Sequence, residues 1–476
     1  MTQPSEAKEL NEHHEKSPAL PQIPQDTLSE KPSHTLKHSQ CDTPDSPATS
    51  TFATDPGEIT RHELEEKGAL EDPEVGLPPT DTWRSWLVIL GGFLVIFNNF
   101  GQTYCWGQYQ DIYLTQEFKG EASTLAMSYI GTVATAFMFF IGPFLGPVLD
   151  LVGFRGSMVL GTILCTVSLL LASFNTALWQ LYLTQGLLFG LGNALLFFPS
   201  VVLPTQWFKK YRGLATGISV SGSGIGGLCL NPLVRYLLAT LGYRWSLRIS
   251  AIISLVLLSA ATLLCRPRIP HKKSSAKHKI IETRIITWRM GALFFFGVFA
   301  SFGYLLPFFM LPAYSRTIGV DPNIAAILTG VMSGVNSLGR ICIGSAADLF
   351  GRLNTMFWCT LISGVSTMVI WPFSKSLGLL VFYVIMYGLS AGGFVSLFPV
   401  AVADLVEDPA DLSSAVGMVY FSCFFGNLVG TPLAGAILDS SGFIPLMEFA
   451  GGLTVLSSVF VLWLRLNTDR RIFVKI

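Results

Sequence analysis

The sequence predicts an all-α membrane protein with about twelve transmembrane helices in two six-helix halves. Apolar segments of roughly 20 residues recur from Trp86 to Trp463. The longest polar break falls between the sixth and seventh of them, and one loop motif occurs once on each side of it. A helix rises ~1.5 Å per residue, so ~20 apolar residues match the ~30 Å hydrocarbon core of a bilayer. Composition agrees: 50% of the 476 residues are hydrophobic and only 13% charged, where a soluble chain carries ~25%. Mean hydropathy is +0.51.

Taken in order, residues 1–82 are rich in Ser, Thr, Pro, His, Glu and Lys and poor in aromatics. Such a stretch buries too little apolar surface to offset its ordering entropy, so a disordered cytoplasmic tail is expected. It lacks the apolar h-region of a cleavable signal, which leaves insertion to the first span. The N-terminal half, 83–265, holds spans at 86–107, 125–147, 157–175, 178–203, 213–239 and 245–265. A basic linker, 266–288, follows, with Arg268, Lys272, Lys273, Lys277, Lys279 and Arg284. The C-terminal half, 289–464, holds spans at 289–312, 324–347, 354–373, 377–400, 412–438 and 442–464, before a short basic tail, 465–476. Arg155, Lys209, Lys210, Arg212 and Arg352 share a side with the linker and the tail. Loops opposite carry only scattered Lys119, Arg244, Arg316 and Lys375. The positive-inside rule makes the basic side cytoplasmic and puts both termini there. The acidic loop from Asp404 to Asp411 departs from the pattern, but acids weigh little in this rule. A multi-pass protein of the plasma membrane is expected, with the vacuolar membrane as the alternative.

The loop motif reads Gly146-Pro-Val-Leu-Asp150-Leu-Val-Gly153-Phe-Arg155 between the second and third spans. It reads Gly344-Ser-Ala-Ala-Asp348-Leu-Phe-Gly351-Arg352 between the eighth and ninth. Two six-helix halves that each carry this element resemble the major facilitator superfamily. The resemblance implies that Asp150, Arg155, Asp348 and Arg352 help to hold the cytoplasmic side closed while the halves rock about a central site. A second stretch, Trp207-Phe208-Lys209-Lys210-Tyr211-Arg212-Gly213-Leu214-Ala215-Thr216-Gly217 followed by Ser221-Gly222-Ser223, resembles the fifth-helix signature of monocarboxylate transporters. Gly222 and Gly226, at small-xxx-small spacing, admit a neighbouring helix at close range. Asn231-Pro232, Gly242-Tyr243-Arg244, Leu412 to Gly417 and Gly430 to Gly435 follow in the same family's order, and Asp81-Thr-Trp83-Arg-Ser-Trp86 keeps part of its first-span signature. The overall look is that of the fungal branch, whose members include carriers assigned to riboflavin and to secondary metabolites.

Substrate sites of such carriers lie near the midplane, among polar side chains facing the bundle axis. Asn98, Asn99 and Gln102 of the first span share a face at helical spacing. Ser333, Asn336, Ser337 and Arg340 form a stripe in the eighth, and Asn231, Asn193 and Asn427 are further candidates. Each Asn serves equally as an interhelical tie. Arg340 stands apart, because a charge deep in a span costs at least ~2.5–3.5 kcal/mol on insertion scales. No Asp or Glu lies at comparable depth, and a lone guanidinium fork matches a carboxylate bidentately. The competing reading has Arg340 snorkelling to the interface or bonding carbonyls. The resemblance implies the receptor role, since its position matches the eighth-helix arginine of monocarboxylate binding. Two departures bear on coupling: the places of the family's eighth-helix Asp and first-span Lys hold Asn336 and Tyr104. Neither titrates near neutral pH, so proton coupling stays open beside exchange or export along a gradient.

The remaining residues narrow the function classes. Seven of the eight cysteines lie within spans, and Cys41 lies in the tail; no pair has metal-ligand spacing, so no metal or cofactor is implied. Phe294, Phe295, Phe296, Phe299, Phe302, Phe308 and Phe309 crowd the seventh span, where they line a pocket for a bulky substrate or pack against helices and lipid. No GxxxxGK[ST] loop supports an ATP-driven pump. No cluster of His, Asp or Glu within spans supports an enzyme, and the tail is a poor signalling domain for a membrane sensor. A secondary active carrier of an organic anion, working by alternating access, is the leading expectation. Its partners are a small organic molecule, the bilayer and, as a candidate coupling ion, the proton; no nucleic acid is implied. Uptake of a small monocarboxylate, riboflavin-type uptake and export of a larger metabolite all suit this architecture.

Overall fold

The computed structural model describes residues 78–118, 124–268, 286–408 and 411–468. The expected tails through residue 77 and from residue 469, and the linker segment 269–285, lie outside the described residues. Among the described residues every regular element is helical. Among the described residues eleven helices are long and apolar enough to cross a membrane. We number the spans α1 (Trp83–Glu117), α2 (Ala126–Leu149), α3 (Leu151–Ala172), α4 (Leu178–Trp207), α7 (Trp288–Thr317), α8 (Asn323–Phe350), α9 (Arg352–Ile370), α10 (Leu377–Leu405), α11 (Leu412–Ser441) and α12 (Phe443–Thr468). The remaining helix, Arg212–Leu264, runs for 53 residues and is broken at Gly242, with φ 77° and ψ 171°. It supplies α5 (212–241) and α6 (243–264), which makes twelve spans. A Cβ would strain that backbone, so one glycine turns the chain where a loop would otherwise be needed.

The two halves repeat each other in detail. The α2–α3 turn holds Gly153 at φ 72°, and the equivalent α8–α9 turn holds Gly351 at φ 94°. Gly242 between α5 and α6 has its counterpart in Gly442 between α11 and α12, at φ 84°. The first helix of each half is interrupted at the same level, α1 after Tyr104 and α7 after Tyr304. In α7 the interruption precedes Pro307, whose ring nitrogen cannot donate to the helical ladder. Most helices outrun the predicted spans by several residues. The apolar window marks only the hydrocarbon core, whereas the helical backbone continues into polar sequence such as Gln108, Asp111 and Glu117.

Small residues set the closest approaches. A Cβ on Gly222 or Gly226 would run into the backbone of Phe93 and Phe97, so the predicted small-xxx-small pair seats α1 against α5. The two signature stretches also meet. Asp81 accepts from the backbone N–H groups of Lys209, Lys210 and Tyr211 at 3.2–3.4 Å, and Trp86 lies edge-on to Phe208 at 5.0 Å. The phenylalanines of α7 spread around the helix instead of facing one pocket. Phe296 is buried against Phe394 and Phe398, Phe299 stacks on Phe460, and Phe295 and Phe309 are each 51% exposed.

Candidate functional site

The halves meet along two seams. On one, glycines of α5 abut α8: Gly213 faces the Gly344 carbonyl, Gly217 that of Arg340 and Gly224 that of Ser333. On the other, Gly142 and Gly146 of α2 abut Gly417 and Ser414 of α11, and Phe139 stacks on Tyr420 at 6.0 Å. The contacts at Gly213, Gly217, Gly224 and Gly142 let backbone approach backbone, which places polar groups of one half within hydrogen-bond reach of the other.

Arg340 lies in the first seam. It sits ten residues before Phe350 on α8, ~15 Å along the axis and so near mid-span. It is only 3% exposed. Its Nη1 donates to the Val220 carbonyl at 2.5 Å and to Ser223 Oγ, both on α5. Its Nη2 donates to the Tyr304 hydroxyl at 2.8 Å, and its buried Nε has no partner. The side chain therefore does not snorkel; it bridges the halves. Tyr304 donates in turn to Asn336 Oδ1 at 3.3 Å, and Asn336 Nδ2 donates to the Gly388 carbonyl of α10 at 3.1 Å. Tyr104 is a further electrostatic neighbour of Arg340. Ser223, Tyr304 and the Val220 carbonyl were absent from the predicted site. The equivalence of Tyr304 to Tyr104 in the half-repeat was the one signal that pointed to it.

The other candidates are placed differently. Asn98 accepts from Ser254 of α6 at 2.9 Å, and Asn99 donates to the Asn193 carbonyl of α4 at 3.3 Å. Both are ties inside the N-terminal half and do not line the seam, because their shared face is the one that α1 turns toward α4 and α6. Asn231 accepts from Gln108 through its carbonyl at 3.1 Å and its side chain at 2.9 Å, tying α5 to α1. Asn427 donates to the Cys423 carbonyl of its own helix at 2.8 Å. Gln102 is buried, with Nε2 unpartnered.

A charged cluster joins the halves at the basic end. Asp348 accepts from the N–H groups of Gly213 and Leu214, both at 2.9 Å. These open the first turn of α5, where unpaired N–H groups and the helix dipole favour an anion. Arg352 reaches Asp404 of α10 at 2.6 Å and the Lys209 carbonyl at 3.0 Å, while Arg212 reaches the same Asp404 oxygen at 2.6 Å. The acid that broke the loop-charge pattern is thus the shared acceptor of two arginines. Arg155 is exposed, and the side chain of Asp150 lies outside the described residues.

Among the described residues no group of His, Cys, Asp or Glu could hold a metal ion. The cluster at the basic end clamps α5, α8 and α10 together through Asp348, Asp404, Arg212 and Arg352. The Major Facilitator Superfamily signature matches residues 88–315 and 293–473. An MFS-type transporter of Aspergillus niger is 32% identical over 405 residues, covering 83% of this chain and 93% of that protein. An agnestins efflux protein of Paecilomyces divaricatus is 31% identical over 434 residues, covering 90% and 97%. The solved human organic anion transporter MFSD10 shares the fold at a TM-score of 0.62 and 13% identity, covering 80% of this chain and all of that one. Matched in both halves by the family signature and along most of its length by fungal transporters, the chain belongs to the Major Facilitator Superfamily.

Proposed function

We propose that this transporter exports a carboxylate-bearing organic metabolite by alternating access, with Arg340 as the anion receptor. One observation carries the reading: a buried guanidinium at mid-span, with no carboxylate among its hydrogen-bond partners, holds only neutral groups, two of them from the opposite half. A carboxylate meets the guanidinium fork with two parallel charge-assisted bonds and an ion–ion attraction that a hydroxyl and a carbonyl lack. A substrate carboxylate therefore outcompetes Ser223 and the Val220 carbonyl for the fork, and its arrival frees α5 from α8. The Asp348, Arg352, Arg212 and Asp404 cluster acts as the cytoplasmic gate of this cycle, on the positive-inside orientation. Export is favoured over uptake by the efflux name of a relative that spans 90% of the chain.

The test is to express wild type, Arg340→Lys and Arg340→Gln in a strain of the source organism lacking the gene. Extracellular and intracellular carboxylates are then compared by mass spectrometry. Loss of a ~2 kcal/mol charged contact lowers transport about 30-fold, so both variants are expected to retain the metabolite inside the cell. Export at the wild-type rate by either variant, correctly inserted, would remove Arg340 as the receptor.

A further inference from the structure

Tyr420 of α11 stands in the second seam, with its ring against the opposite half. It stacks on Phe139 of α2 and meets Phe197 and Phe198 of α4 edge-on at 5.4 and 6.1 Å. Phe398 of α10, at 4.8 Å, belongs to its own half. Tyr420 is 3% exposed, and its hydroxyl has no hydrogen-bond partner among the described residues. A further phenylalanine would pack among these rings without burying an unpaired hydroxyl, which costs free energy. Packing alone therefore gives no reason for the hydroxyl. Its level does. Tyr420 is eight residues past Leu412, ~12 Å into α11, and Arg340 is ten before Phe350, ~15 Å into α8. Both depths count from the end where Arg352 meets Asp404. Arg340 is an electrostatic neighbour of the hydroxyl. A run of rings, Phe398 to Phe394 at 5.4 Å and Phe394 to Tyr304 at 5.6 Å, joins Tyr420 to the tyrosine that Arg340 holds. Two buried donors without partners, Arg340 Nε and Tyr420 Oη, thus belong to side chains at the contact between the halves.

We infer that Tyr420 is a second donor for the transported carboxylate, completing the receptor that Arg340 begins, and that the rings around it select a flat, unsaturated skeleton. The inference rests on the receptor role proposed for Arg340. A carboxylate offers about four lone-pair sites and a guanidinium fork fills two, so the remaining oxygen positions call for further donors. A phenol hydroxyl donates to them without adding a charge that the empty carrier would have to bury. Three of the four rings around Tyr420 come from the opposite half, so parting of the seam uncovers ring faces and edges on both sides. An aryl or vinyl carboxylate meets these with stacked and edge-on contacts, which add to the area it buries. A saturated acid of equal size gains the buried area alone.

The test is calorimetric titration of purified full-length protein with trans-cinnamate and 3-cyclohexylpropanoate, alike in charge and length. Wild type is expected to bind cinnamate about tenfold more tightly than the saturated acid. Tyr420→Phe should weaken both acids about tenfold and keep their ratio. Its thermal unfolding midpoint should hold or rise, because no unpaired hydroxyl is buried any longer. Arg340→Gln should weaken both acids as well. If Tyr420→Phe binds like wild type while Arg340→Gln does not, the second donor is overturned and the receptor reading stands. If Arg340→Gln binds like wild type while Tyr420→Phe does not, the hydroxyl stands as a donor and the receptor reading fails. A midpoint that falls together with affinity would make Tyr420 a packing residue and overturn the inference. Equal affinities for the two acids, or no binding of cinnamate at millimolar concentration, would overturn the selection of a flat skeleton.

Discussion

Two of the three guanidinium nitrogens of Arg340 hold groups from both halves, and the third holds nothing. Tyr304 is the pivot of that arrangement, because one hydroxyl accepts from Arg340 and donates to Asn336. Tyr304→Phe leaves both partners one hydrogen bond short, at ~1 kcal/mol. The half-saturation concentration for export should rise about fivefold in vesicles with little change in maximal rate, whereas Arg340→Gln loses both. At this scale the sequence was only partly legible. The depth and isolation of Arg340 follow from counting residues in one helix. Its partners do not, because Ser223 and the Val220 carbonyl lie more than a hundred residues away and arrive only through packing. Asn98 and Asn99 show the converse: helical spacing assigns them one face but cannot say whether that face meets the seam or the interior of a half.

The helices owe their spacing to glycine. The Cβ that a substitution adds at Gly226 would strike the Phe97 carbonyl of α1, a backbone atom that cannot swing aside. Gly226→Leu should therefore cost at least ~1–3 kcal/mol, seen as a lower thermal unfolding midpoint in detergent. Gly291, in the helix interior of α7, has nothing within 4 Å of its added Cβ. Gly291→Ala should leave the midpoint unchanged or raise it slightly, since alanine gains up to ~1 kcal/mol of helix propensity. Spans and the small-xxx-small contact are legible because bilayer thickness and helical pitch are fixed lengths. The break at Gly242 was legible as well, because the spans 213–239 and 245–265 leave a gap around it; only its compactness, one glycine in place of a loop, was not.

Across the whole molecule the seams are closed where Gly146 meets Ser414 and Gly213 meets Gly344. A Cβ built at Gly146 lies 3.4 Å from the Ser414 Cβ, close to the separation that a disulfide spans. The pair Gly146→Cys with Ser414→Cys should cross-link under oxidant and stop transport, and reductant should restore it. Transport that continues after complete cross-linking would show that this seam need not part. The twofold architecture itself was legible, because a motif repeated at matched loops survives any uncertainty about helix ends. The C-terminal copy of that motif is what clasps the opposite half, through Asp348 and Arg352. Arg340, Gly344 and Asp348 descend one side of α8 at four-residue intervals, ~12 Å from first to last, and Arg352 follows beyond the turn at Gly351. The three on α8 all meet α5: Arg340 through Ser223 and the Val220 carbonyl, Gly344 through Gly213, and Asp348 through the N–H groups of Gly213 and Leu214. On the proposed receptor role of Arg340, a cargo that draws its side chain from α5 loosens the same helix face that Asp348 clamps, so loading and unlatching would be one mechanical event rather than two signals awaiting a messenger.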